Sequence, residues 1–195
     1  RLGRAAEFKD NETGLHVIRM SHYSRLMAEA YGGNEEWIDL VFCASPMHDI
    51  GKIGTPDSIL LKPGKLDKDE WEIMMTHAAI GGEIIGTDDS PLLKLSAIIA
   101  VSHHEKWDGS GYPNGSKGED IALEGRIVAI ADVFDALTSD RPYKKAWSIE
   151  DAVKFIDENS GTHFDPDLVP LFHEVLPQIL DIREQYAESV YIGDE

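Results

Sequence analysis

Eight side chains in this 195-residue sequence have the chemistry of metal ligands, and each sits in a short, distinctive setting. They are Glu12 and His16 in NETGLH, His48 and Asp49 in MHDIGK, His77, His103 and His104 in HHEKWDGSGYP, and Asp132 in ADVFDAL. Five histidines and three carboxylates exceed the needs of one ion. Nitrogen and oxygen donors in that number suit a cluster of divalent ions that generates hydroxide from water. If they converge in space, the chain is a metallohydrolase.

Helices must do the positioning. Glu12, His16, Met20, Tyr23, Met27 and Ala30 recur at spacings of four and three, marking one face of a helix that Gly32-Gly33 ends. Trp37, Val41, Ala44 and His48 form a second stripe. Asp67 and Glu70 have capping-box spacing and open a third helix through Trp71, Met74, His77, Gly81 and Ile84. Ser90-Pro91 starts a fourth, with the stripe Leu92, Ser96, Ile99, His103. Arg126 to Ser139 reads as a buried fifth helix, Ser148 caps a sixth, and Asp165-Pro166 starts a seventh. His16, His48, His77 and His103 thus each lie on or end an apolar stripe. Burying so many imidazoles without metal or partners costs several kcal/mol, so metal binding is the stronger reading.

Glu105 to Ala122 breaks the helical pattern with Gly109, Gly111, Gly115, Gly118 and Pro113. It follows His103-His104 directly and carries Trp107 and Tyr112, which points to an ordered loop over the site.

Bulk properties narrow the classes. The length fits one domain with a real core, or one domain plus a small appendage. A net charge of −18 argues against general DNA, RNA or membrane binding, yet metal ions can reverse the sign locally for a phosphate ester. The one cysteine, Cys43, excludes an internal disulfide framework and agrees with a reducing, cytoplasmic setting. No apolar run approaches a membrane span. The opening RLGRAAEFKD, without Met, reads as a piece of a longer chain.

HDIGKIGTPDSILLKPGKL, then HHEKWDGSGYPNG, then ADVFDALTSDRPYKKAW resemble the HD-GYP branch of the HD phosphohydrolase superfamily, from about Arg4 to Pro166. A lone His-Asp pair is weak evidence; these three motifs in this order are specific. Met47 and Ala122 depart from the branch's usual Leu and Pro, away from the chemistry. The resemblance implies an all-α, compact helical HD-domain fold with the glycine-rich GYP loop near the metal site. A catalytic domain is expected over 1–182, and a C-terminal helical extension or frayed tail over 183–195.

By the same resemblance His16, His48, Asp49, His77, His103, His104 and Asp132 hold a dinuclear centre, with Asp49 bridging, and Glu12 supports a third ion in trinuclear members. Fe or Mn is expected, with Ni or Zn compatible with the same donors. Lys52, Arg141 and Lys144 match positions that hold substrate phosphates. Lys52 lies one turn after Asp49, and an Arg fork suits a phosphate. Asp49 and Lys52 are the expected catalytic pair. Asp135, one turn after Asp132, is a candidate acceptor for a ligand, a water or the substrate, and Tyr112 caps the pocket. His22, His163 and His173 lie in no motif and read as structural.

The implied activity is metal-dependent opening of cyclic di-GMP to linear pGpG, in some members onward to GMP. The alternatives are a mixed cyclic dinucleotide such as 3′,3′-cyclic GMP-AMP, a general nucleotide phosphohydrolase, or a cyclic-dinucleotide receptor without turnover. An N-terminal sensory or receiver domain and a homodimer are further family expectations.

Overall fold

The computed structural model describes Lys9, residues 14–140 and residues 145–187. Among these residues the chain forms helices and no β-strand. In order they are α1 (Gly14–Tyr31), α2 (Glu35–Ala44), α3 (Asp57–Leu60), α4 (Lys68–Met75), α5 (His77–Ile85), α6 (Pro91–Ser102), α7 (Leu123–Thr138), α8 (Ile149–Glu158) and α9 (Leu168–Gln185). Short 3₁₀ turns occupy Ser45–Met47, Ile50–Gly54 and Gly118–Asp120. The all-α expectation holds.

α1 is the organising element and packs against α2, α7 and α9, while α6 lies against α2, α5 and α7. Its inward face carries Met20, Tyr23, Met27 and Ala28, all fully buried. Tyr23 meets Phe134 of α7 edge-on, and Phe134 meets Phe172 of α9 in the same way, with ring centroids 6.1 and 5.2 Å apart. Such pairs add roughly 0.5–1.5 kcal/mol each beyond their buried area. Gly32 ends α1 at φ +88°, donating its N–H to the Glu29 carbonyl.

The caps read from sequence are present at several ends. Asn34 accepts from the Trp37 N–H, Ser148 accepts from the Asp151 N–H, and Asp67 and Glu70 form a reciprocal box. Four boundaries differ from expectation. The second stripe is not one helix: Pro46 cannot continue the ladder, so α2 stops at Ala44 and His48 follows a 3₁₀ turn. The third helix is two, since the chain breaks at Thr76 and His77 begins α5. The fifth begins at Leu123 and ends at Thr138. The last begins at Leu168, three residues past Asp165, whose carboxylate accepts from Arg126 and from the Asp167 N–H.

α9 runs unbroken across position 183, and its end is tied to the core. Arg183 donates to the Thr138 carbonyl at 2.6 Å, and the Tyr186 carbonyl accepts from Arg19 at 3.1 Å. Among the described residues no helix is long and apolar enough to cross a membrane.

Candidate metal centre

Four imidazoles are oriented by the same device. In neutral His one ring nitrogen donates and the other accepts. The Nδ1 atoms of His48, His77 and His103 lie 3.0, 2.7 and 3.0 Å from the carbonyls of Ser45, Met74 and Ala100, each within the preceding turn. His16 Nδ1 lies 2.8 Å from Asp135 Oδ2. Carbonyl and carboxylate oxygens only accept, so Nδ1 carries the proton and Nε2 presents its lone pair. Metal-binding histidines are commonly held in this way.

Those Nε2 atoms converge on two carboxylates. Asp49 Oδ1 lies 3.2 Å from His77 Nε2 and 3.5 Å from His103 Nε2, while its Oδ2 lies 3.2 Å from His48 Nε2. Asp132 Oδ1 lies 3.4 Å from His16 Nε2 and 3.9 Å from His48 Nε2. Two donor groups result: Asp49, His77, His103 and His104 in one, His16, His48 and Asp132 in the other, with the donor atoms of each within 4.8 Å of one another. Asp49 faces both, one oxygen to each side, as a bridging carboxylate must.

The Nε2 atoms of His48, His77 and His103 and the Oδ1 of Asp49 are buried and make no hydrogen bond among the described residues. Leaving a buried polar atom unsatisfied costs about 1–3 kcal/mol, so a cluster of them facing one point is the signature of an ion site. The all-N/O donor set fits hard or borderline divalent ions.

Electrostatics agree with ligand duty. Burial opposes ionisation of Asp49, but the Lys52 ammonium and the His48 ring outweigh it and hold the carboxyl well below its usual range. Asp132 is likewise held low against burial, chiefly by the adjacent His16. Burial pushes His103 and His104 down, which keeps them neutral and able to coordinate. For His48, burial also works downward, but the adjacent Asp49 carboxylate outweighs it and the net shift is upward.

Local backbone explains how these groups come so close. A Cβ on Gly51 would lie 1.8 Å from the His77 carbonyl oxygen, so only glycine lets the Ile50–Gly54 turn press against the start of α5. That turn is 3₁₀ and not α-helical, so positions three apart eclipse. Lys52 Nζ therefore sits 2.8 Å from Asp49 Oδ2. A Cβ on Gly111 would similarly strike the backbone of Glu105 and Lys106.

The glycine-rich loop is pinned at several points. Glu105 is buried, and its carboxylate accepts the Asn114 and Ser116 N–H groups at 2.7 and 3.0 Å. Trp107 and Asp108 donate their N–H groups to the carbonyls of His163 and Thr162. Tyr112 stacks on His104, centroids 4.8 Å apart at 28°, and walls one side of the centre.

Asp135 departs from one expectation. It is completely buried, accepting from His16 and, through both oxygens, from Arg19 Nε and Nη2 at 2.7 and 2.8 Å. Its burial sets it behind His16, on the Nδ1 side of that ring. Arg19, a buried cation three residues after His16, was missed by the sequence reading, though a charge on an apolar stripe was a signal. Glu105 was missed as the loop's anchor. His163 stacks on Phe164, His22 on Tyr186, and His173 pairs with Asp157, none of them in the centre. Glu12, Arg141 and Lys144 lie outside the described residues.

Comparison with known proteins agrees with this geometry. A family model described as HD domain matches residues 4–168. The chain is 46% identical over 189 residues to the cyclic di-GMP phosphodiesterase response regulator RpfG of Xanthomonas campestris pv. campestris (strain 8004), covering 97% of this chain and 50% of that protein. It is 47% identical over 182 residues to 3′3′-cGAMP-specific phosphodiesterase 2 of Vibrio cholerae serotype O1 (strain ATCC 39315 / El Tor Inaba N16961), covering 93% and 35%. The chain thus spans half or less of the length of these two relatives. A crystallised cyclic GMP-AMP specific phosphodiesterase of V. cholerae (V-cGAP3) superposes with a TM-score of 0.70 at 22% identity, over 96% of this chain and 51% of that one, a likeness of fold. The family match over most of the sequence and the convergent His-Asp cluster lead to one conclusion: the chain belongs to the HD domain family, in its HD-GYP branch.

Proposed function

We propose that this chain is the catalytic part of a metal-dependent phosphodiesterase that opens cyclic di-GMP to linear pGpG. The observation that carries the reading is Asp49, with one oxygen toward each of two donor groups. Two ions held there would supply a nucleophile from water at neutral pH and offset phosphate charge.

The chain's own groups supply the rest. His16, His48 and Asp132 form one binding set, and His77, His103 and His104 the other, with Asp49 shared. Fe or Mn suits these donors, and Glu12 is positioned in sequence, one turn before His16, to add a third site. Asp49 and Asp132 keep 17% and 15% of their side chains exposed while His16, His48, His77 and His103 are buried behind them, so substrate approaches from the carboxylate side. Lys52, beside Asp49 on that side, holds a phosphate oxygen and supports the leaving 3′ oxygen. Arg141 and Lys144 hold substrate phosphate together with Lys52, and Tyr112 closes the wall. A sensory or receiver domain, a homodimer and cytoplasmic action belong to the same reading.

A mixed cyclic dinucleotide is the second reading, favoured by a specific observation. Relatives named for cyclic di-GMP and for 3′3′-cGAMP are 46% and 47% identical to this chain, so overall similarity does not choose the base.

The test is Asp49→Ala in protein loaded anaerobically with Fe(II) or Mn(II). Turnover of cyclic di-GMP and of 3′,3′-cyclic GMP-AMP should vanish and bound metal should fall by elemental analysis, while the helical circular dichroism survives. Hydrolysis at the wild-type rate would overturn the assignment.

A further inference from the structure

A cyclic dinucleotide presents two phosphates and two flat purine bases, and the metal centre accounts only for phosphate. α4 buries none of its residues, yet it displays the most exposed of the four tryptophans. Trp71 is 47% exposed, against 39% for Trp147, while Trp37 and Trp107 are half-buried. Two of those others have visible structural work: the Trp37 indole N–H donates to Glu124 at 2.7 Å, and Trp107 lies under the Arg126 guanidinium.

Trp71 has a different neighbourhood. Its ring meets Tyr112 edge-on, centroids 6.4 Å apart at 84°, and Tyr112 stacks on His104. Trp71, Tyr112 and His104 therefore form a continuous aromatic run from an open rim to the metal centre. The rim is well held. The capping box fixes the start of α4, and Lys62 reaches across to Glu70 on the same helix. An indole left half in water on an anchored helix, one ring away from a phosphate-cleaving centre, is a surface for another flat ring.

We propose that Trp71 is the platform on which a purine base of the substrate stacks while its phosphate occupies the metal centre. The inference deepens the phosphodiesterase reading and rests on it for the identity of the ligand. Stacking uses the π-face that every base has, so Trp71 favours base-bearing dinucleotides over simple diesters without choosing guanine over adenine.

The experiment compares wild type, Trp71→Ala and Trp71→Phe, all metal-loaded, on cyclic di-GMP and on ethyl p-nitrophenyl phosphate, a diester without a base. Trp71→Ala should raise KM for cyclic di-GMP about ten- to a hundred-fold with kcat little changed. Trp71→Phe should retain most of the affinity, and the base-free diester should be cleaved equally by all three. An unchanged KM in Trp71→Ala, or an equal loss on the base-free diester, overturns the proposal. Tryptophan fluorescence on adding cyclic di-GMP separates the two claims: quenching in the wild type should be lost in Trp71→Phe. If the wild type turns over no cyclic dinucleotide but shows that Trp71-dependent quenching, the phosphodiesterase reading fails and the base platform stands. No turnover and no quenching removes both.

Discussion

Replacing Asp135 with Asn tests whether this carboxylate positions the centre or touches substrate. The change keeps the shape and removes the charge. Asp135 is completely buried and Arg19 is 3% exposed, so the variant removes the buried carboxylate charge that pairs with this guanidinium through two bonds. Breaking a buried pair from one side costs about 3–5 kcal/mol. A domain of this size shifts its melting temperature by roughly 2–4 °C per kcal/mol, so the metal-free variant should melt about 10 °C lower. The same substitution weakens the acceptor that fixes the His16 tautomer, and loss of such a partner lowers metal affinity about ten- to a hundred-fold. Differential scanning calorimetry on the chelated protein and calorimetric titration with Mn(II) read the two effects, neither needing substrate. Melting and metal affinity equal to wild type, with a raised KM alone, would refute the reasoning and make Asp135 a substrate contact.

Two further perturbations probe other links. Gly51→Ala places a Cβ 1.8 Å from the His77 carbonyl oxygen and 2.5 Å from the Gly81 N, both backbone atoms. The turn and α5 must separate, so turnover should fall by about a hundred-fold, since a 1 Å misplacement can cost that much, and metal content should drop with it. Wild-type activity and metal content in Gly51→Ala would show that the contact is dispensable. His163, next to the ring of Phe164, is pushed down to about 4 by burial and by Lys106. Its folded-state value is depressed, so its contribution is complete above the unfolded value near 6.5 and is lost as pH falls toward 4. The shift corresponds to about 3 kcal/mol. In urea unfolding of metal-free protein, wild type should lose that much more stability between pH 7 and 4 than His163→Phe; parallel declines would remove His163 as the source.

The legibility of the fold follows the range of the forces. α1, α6 and α8 were readable because spacing of three and four, a terminating Gly32, Pro91 at a first turn and Ser148 as a cap are local signals. The break at Thr76 was not, because Trp71, Met74, His77, Gly81 and Ile84 continue one periodicity through it. That break serves the site: His77 starts its own helix, with Nδ1 bonded to the Met74 carbonyl and Nε2 turned toward Asp49. The family resemblance places Lys52 at the centre, one turn after Asp49, and the turn that brings it there is 3₁₀ and not α-helical.

Residue type and order along the chain determined the chemistry: nitrogen and oxygen donors in pairs, a lysine beside an aspartate, and a glycine-rich loop following two histidines. Tertiary structure alone decided which nitrogen of His16, His48, His77 and His103 faces inward, which donors gather on each side of Asp49, and that Asp135 belongs to Arg19, 116 residues away. The reason is physical. Donor identity is a property of the side chain, whereas tautomer, bridging and a buried ion pair are properties of distances between segments, and those exist only once the core has closed around them.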